Sequence, residues 1–154
     1  MRGGPGKAAL IAVALLAGSC TSNGDLVETI AVSGPSPFRT CTLVAPVYNP
    51  SSMMIADSEV EPSLAVSPQD PNVLIGVYQQ DRWSGGQARG IVASVSQDGG
   101  KTWRQVPLPL SECGRGSVPA PRAGDPWVSI GPDGTAYAIA TGTGIAVTES
   151  GDGG

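Results

Sequence analysis

The 154-residue sequence contains no histidine. For this chain that excludes a Ser-His-Asp triad, a histidine general base and a zinc site with an imidazole ligand. Cysteine is scarce at three residues, so a four-cysteine zinc site is excluded as well, and no metal or cofactor is expected. Charged residues are only 14% of the chain and aromatic ones 5%. Nine Lys and Arg against 13 Asp and Glu leave a net charge of −4, so a nucleic-acid partner held through its phosphates is not expected. Beyond residue 17 no stretch sustains a 3.6-residue apolar period, which argues against helices.

What the chain does have is 22 Gly and 14 Pro, nearly a quarter of its residues. That abundance is usual for short strands joined by many turns. Arg2 and Lys7 precede an apolar run at 8–17 that is too short to span a bilayer, and small residues then lead into Cys20. This N-terminus resembles a bacterial lipoprotein signal, with 1–19 removed and Cys20 lipidated. A plain secretory signal is the alternative. The expected location is extracytoplasmic, and membrane contact comes only through the N-terminal lipid. Export permits disulfides, and Cys41 and Cys113 are the remaining pair. A bridge between them closes a loop of 72 residues and stabilises by about 3–4 kcal/mol, with two buried thiols as the alternative.

Residues 20–58 read as a tether and N-terminal arm, low in periodicity and rich in Ser, Pro, Thr and Asn. From residue 59 short apolar runs alternate with turns. Strands are predicted at 63–67, 73–78, 90–96 and 103–106, forming one antiparallel four-strand unit. The pattern then restarts. Glu61-Pro62 through Pro68 aligns with Asp125-Pro126 through Pro132, followed by predicted strands at 135–139 and 144–148. Such a repeat of four-strand units is expected of propeller blades, the first at 61–107 and an incomplete second at 125–154.

Ser96-Gln97-Asp98-Gly99-Gly100-Lys101-Thr102-Trp103 carries the most information. Glycines let the turn enter positive φ, Asp98 can accept turn N–H groups, and Trp103 supplies an apolar plug. Its Ser-x-Asp-x-Gly-x-Thr-Trp spacing resembles the Asp-box, or bacterial neuraminidase repeat, family of sialidase-like β-propellers. The resemblance spans roughly 59–154 and implies an all-β fold. In that family Ser96, Asp98, Gly100, Thr102 and Trp103 are structural and lie away from the active face. Ser150-Gly151-Asp152-Gly153-Gly154 repeats the first half of the box, so the chain is expected to be the front piece of a longer reading frame, inactive alone.

In a four-strand blade the loop between strands two and three and the links between blades share the face opposite the box. That face is expected to collect the loop 79–89 and the link 107–125. Arg82, Arg89 and Arg122 there can grip a carboxylate, Trp83 can stack on a sugar ring, a carboxylate can act as a glycosidase acid, and Asp125 is a further ligand-binding candidate. Each has a structural alternative: Arg82 paired with Asp81, Trp83 packed on a loop, Arg122 paired with Asp125. The resemblance implies a glycoside hydrolase of sialidase type, with Asp81 at the position of the acid/base. Its opening Arg is replaced here by Glu61. The expected function is an exported, lipid-anchored propeller that acts on or recognises glycans. The alternative is a non-catalytic binding or scaffold module at the cell surface.

Overall fold

The computed structural model describes residues 28–42, 51–117 and 119–152. The segment 1–19 expected as a signal, Cys20 and the final Gly153-Gly154 lie outside the described residues. Seven strands and no helix make up the described chain: β1 (Met54–Val66), β2 (Leu74–Trp83), β3 (Ala88–Ser96), β4 (Arg104–Pro107), β5 (Gly124–Ile130), β6 (Ala136–Thr141) and β7 (Ile145–Ser150). They form two antiparallel meanders, β1-β2-β3-β4 and β5-β6-β7. Each hairpin is closed by a short turn, so every strand pairs with its neighbour in sequence.

The two sheets pack face to face. Ile75, Val77, Ile91, Ala93 and Val95 of the first meet Val128, Ala136, Ala138 and Ala140 of the second, with Leu110 and Ala123 completing the core. The row of small alanines on β6 lets the larger β2 and β3 side chains fill the space between the layers. In β5 the inward positions Pro126 and Val128 are buried while Asp125, Trp127 and Ser129 are exposed, the alternation of a sheet covered on one face. β2 and β3 differ, being buried on both faces.

The second cover is the N-terminal arm. Phe38, 2% exposed, packs against Tyr78 and Val92. It fits because residue 90 is glycine: a Cβ there would stand 2.6 Å from the Phe38 ring. Ser94 Oγ donates to the Val32 carbonyl at 2.6 Å. The Cys41–Cys113 disulfide, with Cα atoms 5.6 Å apart, ties the end of this arm to the segment after β4.

Two boundaries differ from the sequence-based expectation. β1 starts at Met54, inside the region read as arm, because bulges let a polar strand continue. The β1–β2 register shifts between Ile55 and Glu59 and again between Val60 and Ser63. Asp57 and Glu61, with φ of 52° and 56°, sit at those shifts. The 79–89 region is mostly strand as well: β2 runs to Trp83 and β3 begins at Ala88, leaving a hairpin turn of only 84–87. Their unbroken pairing places Gln80 opposite Gly90 and Arg82 opposite Ala88.

Candidate functional site

The turns sort onto two opposite edges. On one edge the β3–β4 turn reaches the β1–β2 turn, with Gly99 N–H donating to the Asn72 carbonyl at 3.0 Å. Gln69 of that turn donates to the Pro132 carbonyl at 2.9 Å, bringing in the β5–β6 turn. The other edge gathers the 84–87 hairpin, the link that follows β4 and the β6–β7 turn. There Arg122 Nη1 donates to the Gly86 carbonyl at 3.3 Å, and Thr143 Oγ1 to the Pro119 carbonyl at 3.3 Å.

The first edge holds the Ser96–Trp103 turn. Asp98 Oδ1 accepts from Ser96 Oγ at 2.9 Å, Lys101 N–H at 3.0 Å and Thr102 N–H at 2.9 Å, and Oδ2 accepts from Thr102 Oγ1 at 2.7 Å. The Thr102 hydroxyl and amide lead in holding the Asp98 carboxyl down at about 2, against an ordinary value of 3.8. Gly100 N–H donates to Ser96 Oγ at 2.9 Å, and Trp103 Nε1 donates to the Gly100 carbonyl at 2.8 Å. Gly99 and Gly100 adopt φ of 74° and 88°, which a β-carbon would strain. Trp103 is half-buried rather than enclosed, because it lies at the edge, beyond both core clusters.

The second edge carries the groups with binding chemistry, in two layers. The inner layer is centred on Asp81, which is fully buried. Its carboxylate accepts from Ser36 Oγ at 2.8 Å, Asp57 N–H at 2.9 Å and Arg89 Nη1 at 3.1 Å. Arg89, with a side chain 12% exposed, also donates to the Phe38 carbonyl at 3.0 Å. The arm therefore seals this ion pair: Ser36 N–H donates to Asp57 Oδ1 at 2.8 Å, and Arg39 pairs with Asp57 at 2.9 Å. Those contacts, the Ser36 amide first, lower the Asp57 carboxyl below its usual range. Gln80, fully buried, donates to Glu59 at 2.7 Å.

The outer layer is partly open to solvent: Glu61 and Asp125 are exposed, Arg82 and Thr141 are half-buried, and Gln79 is buried beneath them. Glu61 accepts from Gln79 Nε2, from Arg82 Nη1 at 3.2 Å and from the Asp125 N–H at 3.3 Å. Arg82 Nη1 also donates to Gln79 Oε1 at 2.7 Å, while Asp125 Oδ2 accepts from Thr141 Oγ1 at 2.8 Å. Glu61 and Asp125 occupy equivalent positions of the repeat. Each has a positive φ, 56° and 48°, each precedes proline, and each sits at a register shift in the first strand of its sheet. The repeated bulge aims two acidic residues at one place.

This geometry revises several site expectations. Asp81 does not face an open loop: its acceptor positions are filled and no substrate oxygen can reach it in this arrangement. Arg82 pairs with Glu61 rather than Asp81, since β2 continues past residue 79 and puts Arg82 alongside β1. Trp83 is 8% exposed and offers no free stacking face, because the Arg122 guanidinium lies 4.6 Å above its ring centre. Arg122 is itself buried, which lowers its pKa through desolvation. So Arg82, Arg89 and Arg122 do not converge on one anion. Sequence reasoning missed Ser36, Glu59 and Thr141, and it read Gln79 and Gln80 only as part of the 79–89 loop. Among the described residues no group of three Asp, Glu or Cys could hold a metal ion. No family model, curated protein or solved structure matches the chain.

Proposed function

We propose that the two sheets are consecutive blades of an Asp-box, sialidase-like propeller. In this reading the protein is exported, anchored through a lipid on Cys20, and binds a glycan on its 84–87 edge without hydrolysing it. The repeated bulge at Glu61 and Asp125, the repeated strand order and the Ser-x-Asp turns at residues 96 and 150 support the blade reading. The observation that carries the binding reading is the Glu61–Gln79–Arg82–Asp125–Thr141 cluster. It presents two carboxylates and one paired cation, so it is acidic overall. The exposed Glu61 and Asp125 carboxylates suit the hydroxyls of a neutral sugar, while a sialic acid carboxylate is repelled. Trp127, farther along the Asp125 strand and 66% exposed, supplies an aromatic surface nearby.

Hydrolysis is disfavoured by the burial of Asp81, since a general acid must reach the leaving oxygen. The test is titration calorimetry with neutral and sialylated oligosaccharides, alongside a fluorogenic sialoside assay. Binding of a neutral glycan is expected, weakened about tenfold or more by Asp125→Asn through loss of a charged acceptor. Sialoside turnover by the wild-type protein refutes the binding-only reading.

A further inference from the structure

Residues 36–41 of the arm cross the Asp81–Arg89 ion pair as a strap. They belong to no strand, and only Ser36 and Phe38 among them are buried. One end of the strap is held by contacts alone. The Ser36 hydroxyl donates to Asp81, the Phe38 carbonyl accepts from Arg89, and the Phe38 ring fills a slot floored by Gly90 between Tyr78 and Val92. The other end is held by the Cys41–Cys113 bond.

The two sulfurs rest on unequal supports. Cys113 lies in a tightly wound turn: a Cβ at Gly114 would stand 2.0 Å from the Leu108 carbonyl oxygen, and one at Gly116 2.3 Å from that of Pro109. Ser111, fully buried, fixes the same turn, its hydroxyl accepting from the Gly114 N–H at 3.1 Å and its carbonyl from the Gly116 N–H at 2.9 Å. The Cys41 N–H donates to the Phe38 carbonyl, within the strap itself. Breaking the bond therefore leaves Cys113 in place and frees the Cys41 end. Solutes have a way to the bond, since among the described residues a cavity of about 580 Å³ is lined by both half-buried cysteines together with Thr40, Glu112 and Arg115.

We infer that residues 36–41 form a thiol-operated cover, which a dithiol reductant opens to expose the Arg89 guanidinium and the Asp81 carboxylate beside the emptied Phe38 slot. A thiolate of the dithiol bonds to Cys41 Sγ while the Sγ–Sγ bond breaks, and the electron pair leaves on Cys113 Sγ, with the cationic Arg115 on the same cavity wall. The second thiolate of the dithiol then displaces Cys41 Sγ. The dithiol ends as a disulfide, and the two cysteine thiolates take up protons. Phe38 lies three residues from Cys41 and 16 from the start of β1. Losing the bond lengthens its shortest covalent path to the folded body about fivefold, and loop-closure entropy then favours the open strap by about tenfold. The inference stands on the strap and its two anchors and is independent of what the 84–87 edge binds.

The test is arginine modification by phenylglyoxal on the full protein, with and without dithiothreitol, mapped by peptide mass spectrometry. Arg39, with a side chain 60% exposed, is expected to react in both forms. Arg89 is expected to react slowly in the oxidised protein and about tenfold faster once reduced. Arg122, buried against Trp83 and Gly86 rather than under the strap, is expected to stay slow in both. Cys41→Ser is expected to match the reduced wild type whether or not dithiothreitol is present. An Arg89 rate unchanged by reduction would overturn the inference. So would Arg122 accelerating together with Arg89, which marks unfolding of the whole domain rather than opening of the strap. A Cys41→Ser protein that keeps Arg89 slow, or that still responds to dithiothreitol, overturns it as well.

Discussion

Asp81→Asn tests the inner layer most directly. The substitution keeps the shape of the side chain and removes its charge. Arg89, 12% exposed, then keeps its positive charge with only the Phe38 carbonyl and a neutral amide facing it. The Asp57 N–H and Ser36 hydroxyl, both donors to Asp81, face an amide that can accept through one atom only. Breaking a buried pair by removing one partner costs about 3–5 kcal/mol. For a domain of this size that corresponds to a melting temperature lowered by about 10–20 °C. Asp81→Asn combined with Arg89→Met removes both charges and should cost less than the single change, because no buried charge is left uncompensated. Ser36→Ala should cost about 1 kcal/mol, the worth of one hydrogen bond. Thermal unfolding followed by circular dichroism reads all three variants. If Asp81→Asn melts within about 2 °C of wild type, or the double variant is the less stable, the carboxylate is not the buried anchor described here. The arm would then have to stand open in solution.

The Asp98 carboxyl should titrate near 2 in a carbon-detected pH series, and Thr102→Val should move it up toward 3.8. Its folded pKa is lowered, so its contribution to stability is present above about pH 4 and is lost as pH falls through 2. An Asp98 midpoint near 3.8 in the wild type would contradict the hydrogen-bonded box. Reducing the disulfide, or Cys41→Ser, should cost about 4 kcal/mol through the 72-residue loop, and unfolded oxidised protein should show neither Cys41 nor Cys113 reactive to thiol reagents. Trp103→Ala should cost about 2 kcal/mol, below the roughly 3–5 of an enclosed Trp, and leave glycan binding unchanged; a loss of binding without loss of stability would put the box on the functional edge. Mass spectrometry of the mature N-terminus should find Cys20 first in the chain and acylated, and an unmodified Cys20 refutes the anchor.

The Ser96–Trp103 turn was legible in the sequence because it is local: each hydrogen bond within it joins residues no more than four apart. The all-β class followed from punctuation and period for the same reason, since alternation and turn residues act within a few positions. The repeat aligned Glu61 with Asp125 by spacing alone, and both proved to sit at one kind of bulge. Pairing Cys41 with Cys113 followed from reading the first residues as an export signal and counting the remaining thiols.

What the sequence left undecided is the state of the charged groups. Gln79-Gln80-Asp81-Arg82 reads as an exposed loop, because a polar run ordinarily signals solvent. It is a strand because β1 flanks it through two bulges and the arm covers it from the other side. Ser36 meets Asp81 across 45 residues, Phe38 meets Arg89 across 51, and Glu61 meets the Asp125 amide across 64. No local pattern encodes those contacts, since the energy of burying a charge depends on what closes over it and not on its neighbours in sequence. The sequence determined the strands, the turns and which acids recur. Tertiary structure decided which of them are sealed in ion pairs and which stand open to a ligand.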